Sequence, residues 1–235
     1  MLLKNCFHVE ENNHNDIPFS SKGFPYTCIQ SDIEQYADRC ISWHWHVSME
    51  IVIVISGTVE LRIQDRSFML HAGNAAFVNT GVLHMYQAHG EEPASVFAHL
   101  LHMDFLSGSD GSVFEEKYFL PISRCSALQA WTFRPDTREH MDMISSALKA
   151  VELMRDESYG YELDIRTQLC AFWKGLLKET EELRKTAPIR NSVDSERIRQ
   201  MMDFVQEHDP ENITVDEIAS SAGISSREWW SSVRC

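Results

Sequence analysis

The sequence predicts an α+β protein in which an antiparallel β-barrel of the jelly-roll type precedes several α-helices. Short β-branched runs alternate with glycine- and asparagine-containing turns between residues 40 and 110, a pattern typical of antiparallel barrels. Apolar residues then recur with a period of 3.6 between residues 141 and 177, which indicates two amphipathic helices. A third segment, residues 194–235, carries a helix-start signal of its own. The 235 residues suffice for one large or two modest domains.

The barrel region is expected to contain short strands separated by tight turns. Residues 1–39 form a loose N-terminal arm, with one strand near residues 26–30. Within the barrel, Gly57, Gly73-Asn74 and Asn79-Thr80-Gly81 are the turn signals. The predicted barrel strands cover residues 51–55, 58–63, 68–71, 75–78 and 95–103.

The helical part is expected to begin after a connector at residues 106–135 and to form a hairpin, so that residues 111–187 hold connector and hairpin together. Tyr159-Gly160 separates the two helices. Their apolar stripes are expected to be shared between the core and a two-fold dimer interface. The stripe residues are Ile144, Leu148 and Val151 on the first helix, and Leu169, Phe172 and Leu176 on the second.

The composition excludes several function classes. A net charge of −14 does not favour binding to nucleic acid or to an anionic membrane surface through overall charge. Residues 1–10 lack a secretory apolar segment, and no apolar run approaches the roughly 20 residues that span a bilayer. The 6 cysteines show no Cys-x-x-Cys spacing, which indicates reduced thiols and a cytoplasmic location. Nucleotide-binding and hydrolase motifs are missing as well.

Three side chains near the start of the barrel have the chemistry of a binding site. On a strand, His44, His46 and Glu50 would share one face while Trp45 points the other way, because alternate residues of a strand face the same side. His84 would join them if the chain folds back as a barrel. Imidazoles with one carboxylate suit iron(II), manganese, nickel, copper or zinc.

The spacing of these residues resembles the two-part cupin signature. The matching positions are His44, His46, Glu50, Gly57, Gly73, Gly81 and His84. The sequence departs from the signature at Asp38 for the leading glycine, at Asn79 for the proline and at Ala88 for the final asparagine. The resemblance leaves two alternatives for the four ligand-type residues, which either hold a divalent transition metal or line an effector pocket without metal. Arg62 and Tyr86 are further candidates for that pocket.

Residues 213–225 fit the requirements of a helix-turn-helix unit. Thr214 and Glu217 form a capping box that begins a helix. The small side chain of Ala219 lets a following helix approach closely, and Gly223 suits the tight turn. The alternative is an ordinary helix pair in a small bundle.

The order of barrel, hairpin and helix-turn-helix unit resembles the AraC/XylS family of bacterial transcription regulators over about residues 40–228. The resemblance implies an effector-binding cupin-like domain, a dimerising hairpin and a domain that reads promoter DNA. Imidazole, carboxylate and aromatic groups would suit a sugar or a small polar acid as effector. The expected effector ligands are His44, His46, Glu50, Arg62, His84 and Tyr86, and DNA contacts would start at Ser225, Ser226 and Arg227.

The C-terminal segment departs from the family pattern. Trp229 and Trp230 are adjacent on the expected reading helix, Ser232 stands where an apolar anchor is expected, and a second helix-turn-helix unit does not follow. Residues 191–235 carry 4 Lys+Arg against 9 Asp+Glu. We therefore expect a truncated DNA-binding domain and weak binding to specific DNA, because few cations face the phosphates.

Two other functions remain open. A metal-dependent cupin enzyme, such as an isomerase or dioxygenase, could use the same four ligand-type residues. The helix-turn-helix unit argues against it, since an enzyme has no need of one, and no catalytic residue is assigned. A folded remnant without activity is the third alternative.

Overall fold

The computed structural model describes residues 2–7, 23–63, 66–109, 111–186, 200–201, 204 and 214–227. Its strands form two sheets that pack face to face as a cupin-like sandwich. The strands are β1 (Leu3–Lys4), β2 (Tyr26–Asp32), β3 (Cys40–His44), β4 (Met49–Ser56), β5 (Thr58–Ile63), β6 (Arg66–His71), β7 (Ala75–Val78), β8 (His84–His89), β9 (Ser95–Leu101) and β10 (Ala130–Phe133).

The larger sheet has the order β1-β2-β9-β4-β7-β10, and the smaller has the order β3-β8-β5-β6. β1 runs parallel to β2, whereas the other strand pairs are antiparallel. The strand near residues 26–30 is confirmed as β2. β2 and β10 lie outside residues 40–110 but extend the larger sheet, so the sandwich takes strands from both flanks of that interval.

β4 is the central strand of the larger sheet and is buried on both faces. Val52 and Val54 face the smaller sheet, while Ile51 and Ile53 face the helices. This explains its continuous β-branched run, since a strand covered on both sides needs no polar alternation. Gly57 then turns the chain with φ +68°, where a side chain would collide with the backbone of Pro93 and Ala94.

The helices follow the sandwich, apart from two 3₁₀ turns at Ile33–Gln35 and Ala37–Arg39. The connector contains a π-helical turn, Glu115–Phe119, and the side chain of Thr137 caps the first helix of the hairpin. The helices are α1 (Met103–Ser107), α2 (Leu120–Ser123), α3 (Arg138–Asp156), α4 (Tyr161–Glu179), α5 (Glu181–Thr186) and α6 (Val215–Ser221).

The hairpin of α3 and α4 covers the outer face of the larger sheet. Trp173 meets Phe77 of β7 with ring centroids 5.8 Å apart, and Phe172 meets Phe133 of β10 at 5.2 Å. Most residues of the two apolar stripes are thus buried against the rest of the chain. Ile144, Val151, Leu169, Phe172 and Leu176 are all buried, and Leu148 is partly buried against them. Five of these six side chains are therefore part of the core of the chain, and the two-fold interface expected at the same stripes stays a prediction.

The helix-turn-helix expectation holds for the part that the structure describes. Thr214 and Glu217 form the predicted capping box at the start of α6. Ala219 is fully buried, and Gly223 has φ +66° in the turn that follows. Before α6, the structure describes residues 200, 201 and 204 of the third segment, all of them helical. Trp229, Trp230 and Ser232 lie outside the described residues.

The predicted fold class, an α+β chain with a cupin-like sandwich followed by helices, is confirmed. Some elements differ from expectation. β1, β8 and β10 were not predicted. The strand expected to end at residue 103 ends at Leu101, because His102 caps α1. The connector expected at 106–135 holds α2, the π-helical turn and β10.

Candidate functional site

Four buried side chains meet at one end of the sandwich, and they are those predicted from the cupin-like spacing. His44 ends β3, His46 lies in the loop after it, Glu50 is on β4 and His84 begins β8. One ligand atom from each residue lies within 4.8 Å of the others. β3 pairs His44 with His84, so the antiparallel register between β3 and β8 brings these two imidazoles together. The strand predicted to carry the first three residues is interrupted after His44, but the loop still directs His46 to the same centre.

Each imidazole is oriented by a backbone carbonyl two residues away in the chain. Nδ1 of His44 donates to the carbonyl of Ser42 at 2.8 Å, and Nδ1 of His46 donates to that of Ser48 at 2.8 Å. Nδ1 of His84 donates to the carbonyl of Val82 at 2.7 Å. Because a carbonyl oxygen only accepts, each Nδ1 carries a proton, and the three Nε2 atoms are the ones directed to the centre. Hydrogen bonds of this kind fix the ring orientation of histidines that bind a metal.

Glu50 is the negative charge of the centre. Its Oε2 lies 3.2 Å from Nε2 of His46 and 3.0 Å from Nε2 of His84. Burial alone would raise the pKa of Glu50, but the hydrogen bonds from His46 and His84 outweigh burial and hold the pKa below its usual range. Burial, with His84 and His46 nearby, lowers the pKa of His44 well below its usual value, so His44 is neutral.

The residues fit a divalent metal. Nε2 of His46 and Nε2 of His84 both face Oε2 of Glu50. A metal cation bound at the centre would use these two nitrogens and the carboxylate. Two further atoms of the centre, Nε2 of His44 and Oε1 of Glu50, are buried without a hydrogen-bond partner among the described residues. Three imidazole nitrogens with one carboxylate suit first-row transition metals.

Tyr86 and Phe7 form the wall beside the four residues. The Tyr86 ring lies 5.6 Å from that of His84, and its buried hydroxyl has no hydrogen-bond partner among the described residues. Burial, and next the charge of Glu50, raise the pKa of Tyr86 well above its usual value, so the hydroxyl stays protonated. Phe7 lies beside His44, and the centroids of the two rings are 5.5 Å apart. The wall therefore offers one hydrogen-bonding group in apolar surroundings.

Arg62 does not join the other predicted pocket residues. It lies on the outer face of β5, where its exposed guanidinium donates to Glu60 at 2.7 Å. This bond, together with one from His89 across the sheet, lowers the pKa of Glu60 to about 2. The period of two explains the separation, since Leu61 and Ile63 face the core and Arg62 between them faces outward.

The predicted DNA-contacting residues follow the turn after α6. Ser225 and Arg227 are exposed and Ser226 is partly buried. Two contributors to the site were not predicted. Phe7 comes from the N-terminal arm, about which sequence spacing says nothing, and the orienting carbonyls are backbone atoms without a residue signature. Among the described residues, no helix is long and apolar enough to cross a membrane.

Comparison with known proteins gives one family match and one sequence relative. Residues 38–100 match the model of the cupin domain, which includes all four residues of the centre. The sequence is similar to an uncharacterized HTH-type transcriptional regulator, YdeC, of Bacillus subtilis strain 168, at 24% identity over 231 residues. That alignment covers 96% of this chain and 76% of the relative.

Solved structures support the same architecture. A variant of apo ToxT from Vibrio cholerae strain SCE256 superposes with a TM-score of 0.51 and 12% identity, over 89% of this chain and 80% of ToxT. ToxT from Vibrio cholerae O395 bound to (E)-4-(8-methylnaphthalen-1-yl)but-3-enoic acid gives a TM-score of 0.51 and 12% identity, over 81% of this chain and 73% of ToxT. At this identity the likeness concerns the fold. With the cupin match and the regulator relative, the resemblance to AraC-type regulators with a cupin domain is confirmed.

Proposed function

We propose that this chain is a cytoplasmic, homodimeric transcription regulator of the AraC type whose cupin domain is the sensor. His44, His46, Glu50 and His84 would hold a divalent transition metal, and a small polar effector would bind beside it, next to Tyr86. The observation that carries the proposal is the convergence of three Nε2 atoms and one carboxylate, with every Nδ1 committed to a carbonyl. Such a centre is built to bind a cation.

A small acid suits this site better than a sugar. An acid could not lie close to the buried carboxylate of Glu50 without a positive charge between them. The metal would supply that charge, and the Tyr86 hydroxyl could donate to the second oxygen of the acid. The carboxylic acid recorded on ToxT belongs to that protein, and it supports only the general idea that this architecture accepts acids.

Binding to DNA would start at Ser225, Ser226 and Arg227, as proposed from the sequence. We propose that this binding is weak in the chain as given. Arg227 is the only Lys or Arg between residues 214 and 227, whereas Asp216 and Glu217 are acidic. Homodimerisation is part of the proposal without an assigned interface, since the hairpin stripes face the core.

Elemental mass spectrometry on untagged protein purified without chelator tests the metal centre. We expect near-stoichiometric metal in the wild-type chain and loss of metal in His84→Ala. Addition of small acids and of sugars to the metal-loaded chain, followed by thermal unfolding, then tests the effector class. A chain without metal that is stabilised by a sugar would contradict both parts of the proposal.

A metal-dependent enzyme is the second candidate, and the donor set itself favours it. An octahedral metal held by three histidines and one carboxylate would keep two coordination positions for a substrate. Steady turnover of a small acid or sugar by the metal-loaded chain, absent in His84→Ala, would favour the enzyme. Binding of the same compounds without turnover would favour the regulator.

A further inference from the structure

The segment that carries two of the histidines also supports the helix-turn-helix unit. His44 and His46 face the centre, whereas Trp45 between them packs against α6 and the turn that follows. Trp45 is only 1% exposed, so nearly the whole indole is covered. The other buried residues of this cluster are Met201, Ile218, Ala219, Ala222 and Ile224.

A second histidine-bearing segment reaches the same contact. Leu83, which precedes His84, and Val47, which follows His46, are partly buried against this cluster. In both segments, therefore, a histidine of the centre is the direct chain neighbour of a residue in the α6 cluster. Neighbouring residues of an extended chain point to opposite sides, so rotation of one displaces the other.

The two segments are joined by hydrogen bonds. The Gly81 amide donates to the carbonyl of His46 at 3.0 Å, and the Thr80 hydroxyl donates to the carbonyl of Val47 at 2.7 Å. The turn that precedes His84 is thus attached to the loop that carries Trp45. A change at either histidine is transmitted to the loop and the turn as one unit.

We propose that a divalent metal bound at the centre stabilises the packing of the helix-turn-helix unit against Trp45, Val47 and Leu83. The inference rests on the proposed metal centre and adds the contact by which the centre acts. A cation drawn in by His44, His46 and His84 fixes the backbone on which the three apolar residues stand. These three residues then form the surface against which α6 and the following turn pack.

Thermodynamic linkage makes the coupling reciprocal. If metal strengthens the seating of α6 by some factor, a seated α6 strengthens metal affinity by the same factor. Couplings between two sites of a protein are typically about 5- to 150-fold. Trp45 is a positioning residue in this scheme, because it contacts neither metal nor effector.

Hydrogen exchange on the full chain, with and without Zn²⁺, tests the proposal. We expect Zn²⁺ to slow exchange of the amides of residues 214–227 by about tenfold or more in the wild-type chain. In Trp45→Ala, Zn²⁺ should still bind, with an affinity weaker by a similar factor, and the slowing at 214–227 should vanish. Trp43→Ala is the matched control, because Trp43 lies directly before His44 on β3, as Trp45 lies directly after it, but is outside the α6 cluster. This variant should behave as wild type.

A variant on α6 tests whether the effect of Trp45→Ala comes from misfolding of the barrel. Ile218→Ala leaves the barrel intact, and it should weaken both the slowing at 214–227 and the affinity for Zn²⁺. If Zn²⁺ binds to the wild-type chain and slows exchange only near residues 40–50 and 79–89, the coupling is refuted and the metal centre stands. If Zn²⁺ does not bind at all, the coupling and the proposed centre fail together.

Discussion

Nε2 of His84 lies 3.0 Å from Oε2 of Glu50, although the two residues are 34 positions apart and lie on different sheets. The same oxygen also lies 3.2 Å from Nε2 of His46. One buried carboxylate oxygen thus faces two imidazoles whose other nitrogens are already committed to carbonyls. The site is therefore arranged around Glu50, and its variants are the most informative.

Replacement of Glu50 by glutamine should abolish metal binding. The amide keeps the size of the side chain but removes the charge, and a neutral oxygen is a much weaker ligand for a transition metal. We expect metal content below about a tenth of the wild-type value by elemental analysis, since loss of a ligand exceeds the 10- to 100-fold effect of an outer-shell partner.

Glu60→Gln is the matched control. Glu60 also accepts a hydrogen bond from a histidine, at 2.8 Å from Nε2 of His89, but it faces outward from the smaller sheet. Its variant should keep full metal content. Equal metal content in both variants would show that bound metal is elsewhere in the chain.

Removal of metal should lower thermal stability. A metal that binds only the folded chain stabilises it by about 2.7 kcal/mol at a free concentration of 100 times Kd. Treatment with a chelator should therefore lower Tm by several degrees, and added metal should restore it. His84→Ala should show the lower Tm with or without chelator. A chelator-sensitive Tm in His84→Ala would place the stabilising metal outside this centre.

The sequence could predict that His44, His46 and Glu50 come together, because their signal is local. His44, His46 and Glu50 all face the centre although β3 ends at His44, because the loop that follows β3 still directs His46 inward. The period of two also placed Trp45 on the opposite side. It could not show that Trp45 meets α6, because more than 160 residues separate them and no periodicity reports such a distance.

The elements that were not predicted are those whose pattern is mixed. β8 begins with His84 and Met85 and has no clear polar alternation, because His84, Met85 and Tyr86 are all buried. β10 has four residues inside a connector that otherwise reads as irregular. The inward assignment of Arg62 failed for a simpler reason, since its place in the alternation of β5 puts it outside.

His99 should make the fold less stable in mild acid. Burial lowers the pKa of His99 to about 4, against 6.5 in an exposed chain. Above about pH 6.5 the ring is neutral in both states and contributes no pH dependence. Between about pH 6.5 and 4 the unfolded chain binds the proton and the folded chain does not, so stability falls as pH falls. The full effect is up to about 3 kcal/mol.

The variant His99→Gln isolates this effect. Glutamine can still bond to the Tyr26 hydroxyl, which lies 2.8 Å from Nδ1 of His99. Urea unfolding from pH 8 to pH 4 should show a shallower loss of stability for the variant than for the wild-type chain. The range above pH 7 is an internal reference, because the difference between the two proteins should be constant there. Parallel curves over the whole range would contradict the assigned pKa.

Binding of this chain to DNA should be weak and should depend only weakly on salt. Each neutralised phosphate contributes about −0.9 to the slope of log affinity against log salt for duplex DNA. Arg227 is the one cation in residues 214–227, and 9 acidic residues lie between 191 and 235. A slope near −1 is therefore expected in a gel shift with random duplex.

Ser226→Lys adds one cation at the start of the expected reading helix and should steepen the slope by about 0.9. Tight sequence-specific binding at low nanomolar protein would overturn this prediction, because it would require a basic surface that the C-terminal segment does not carry.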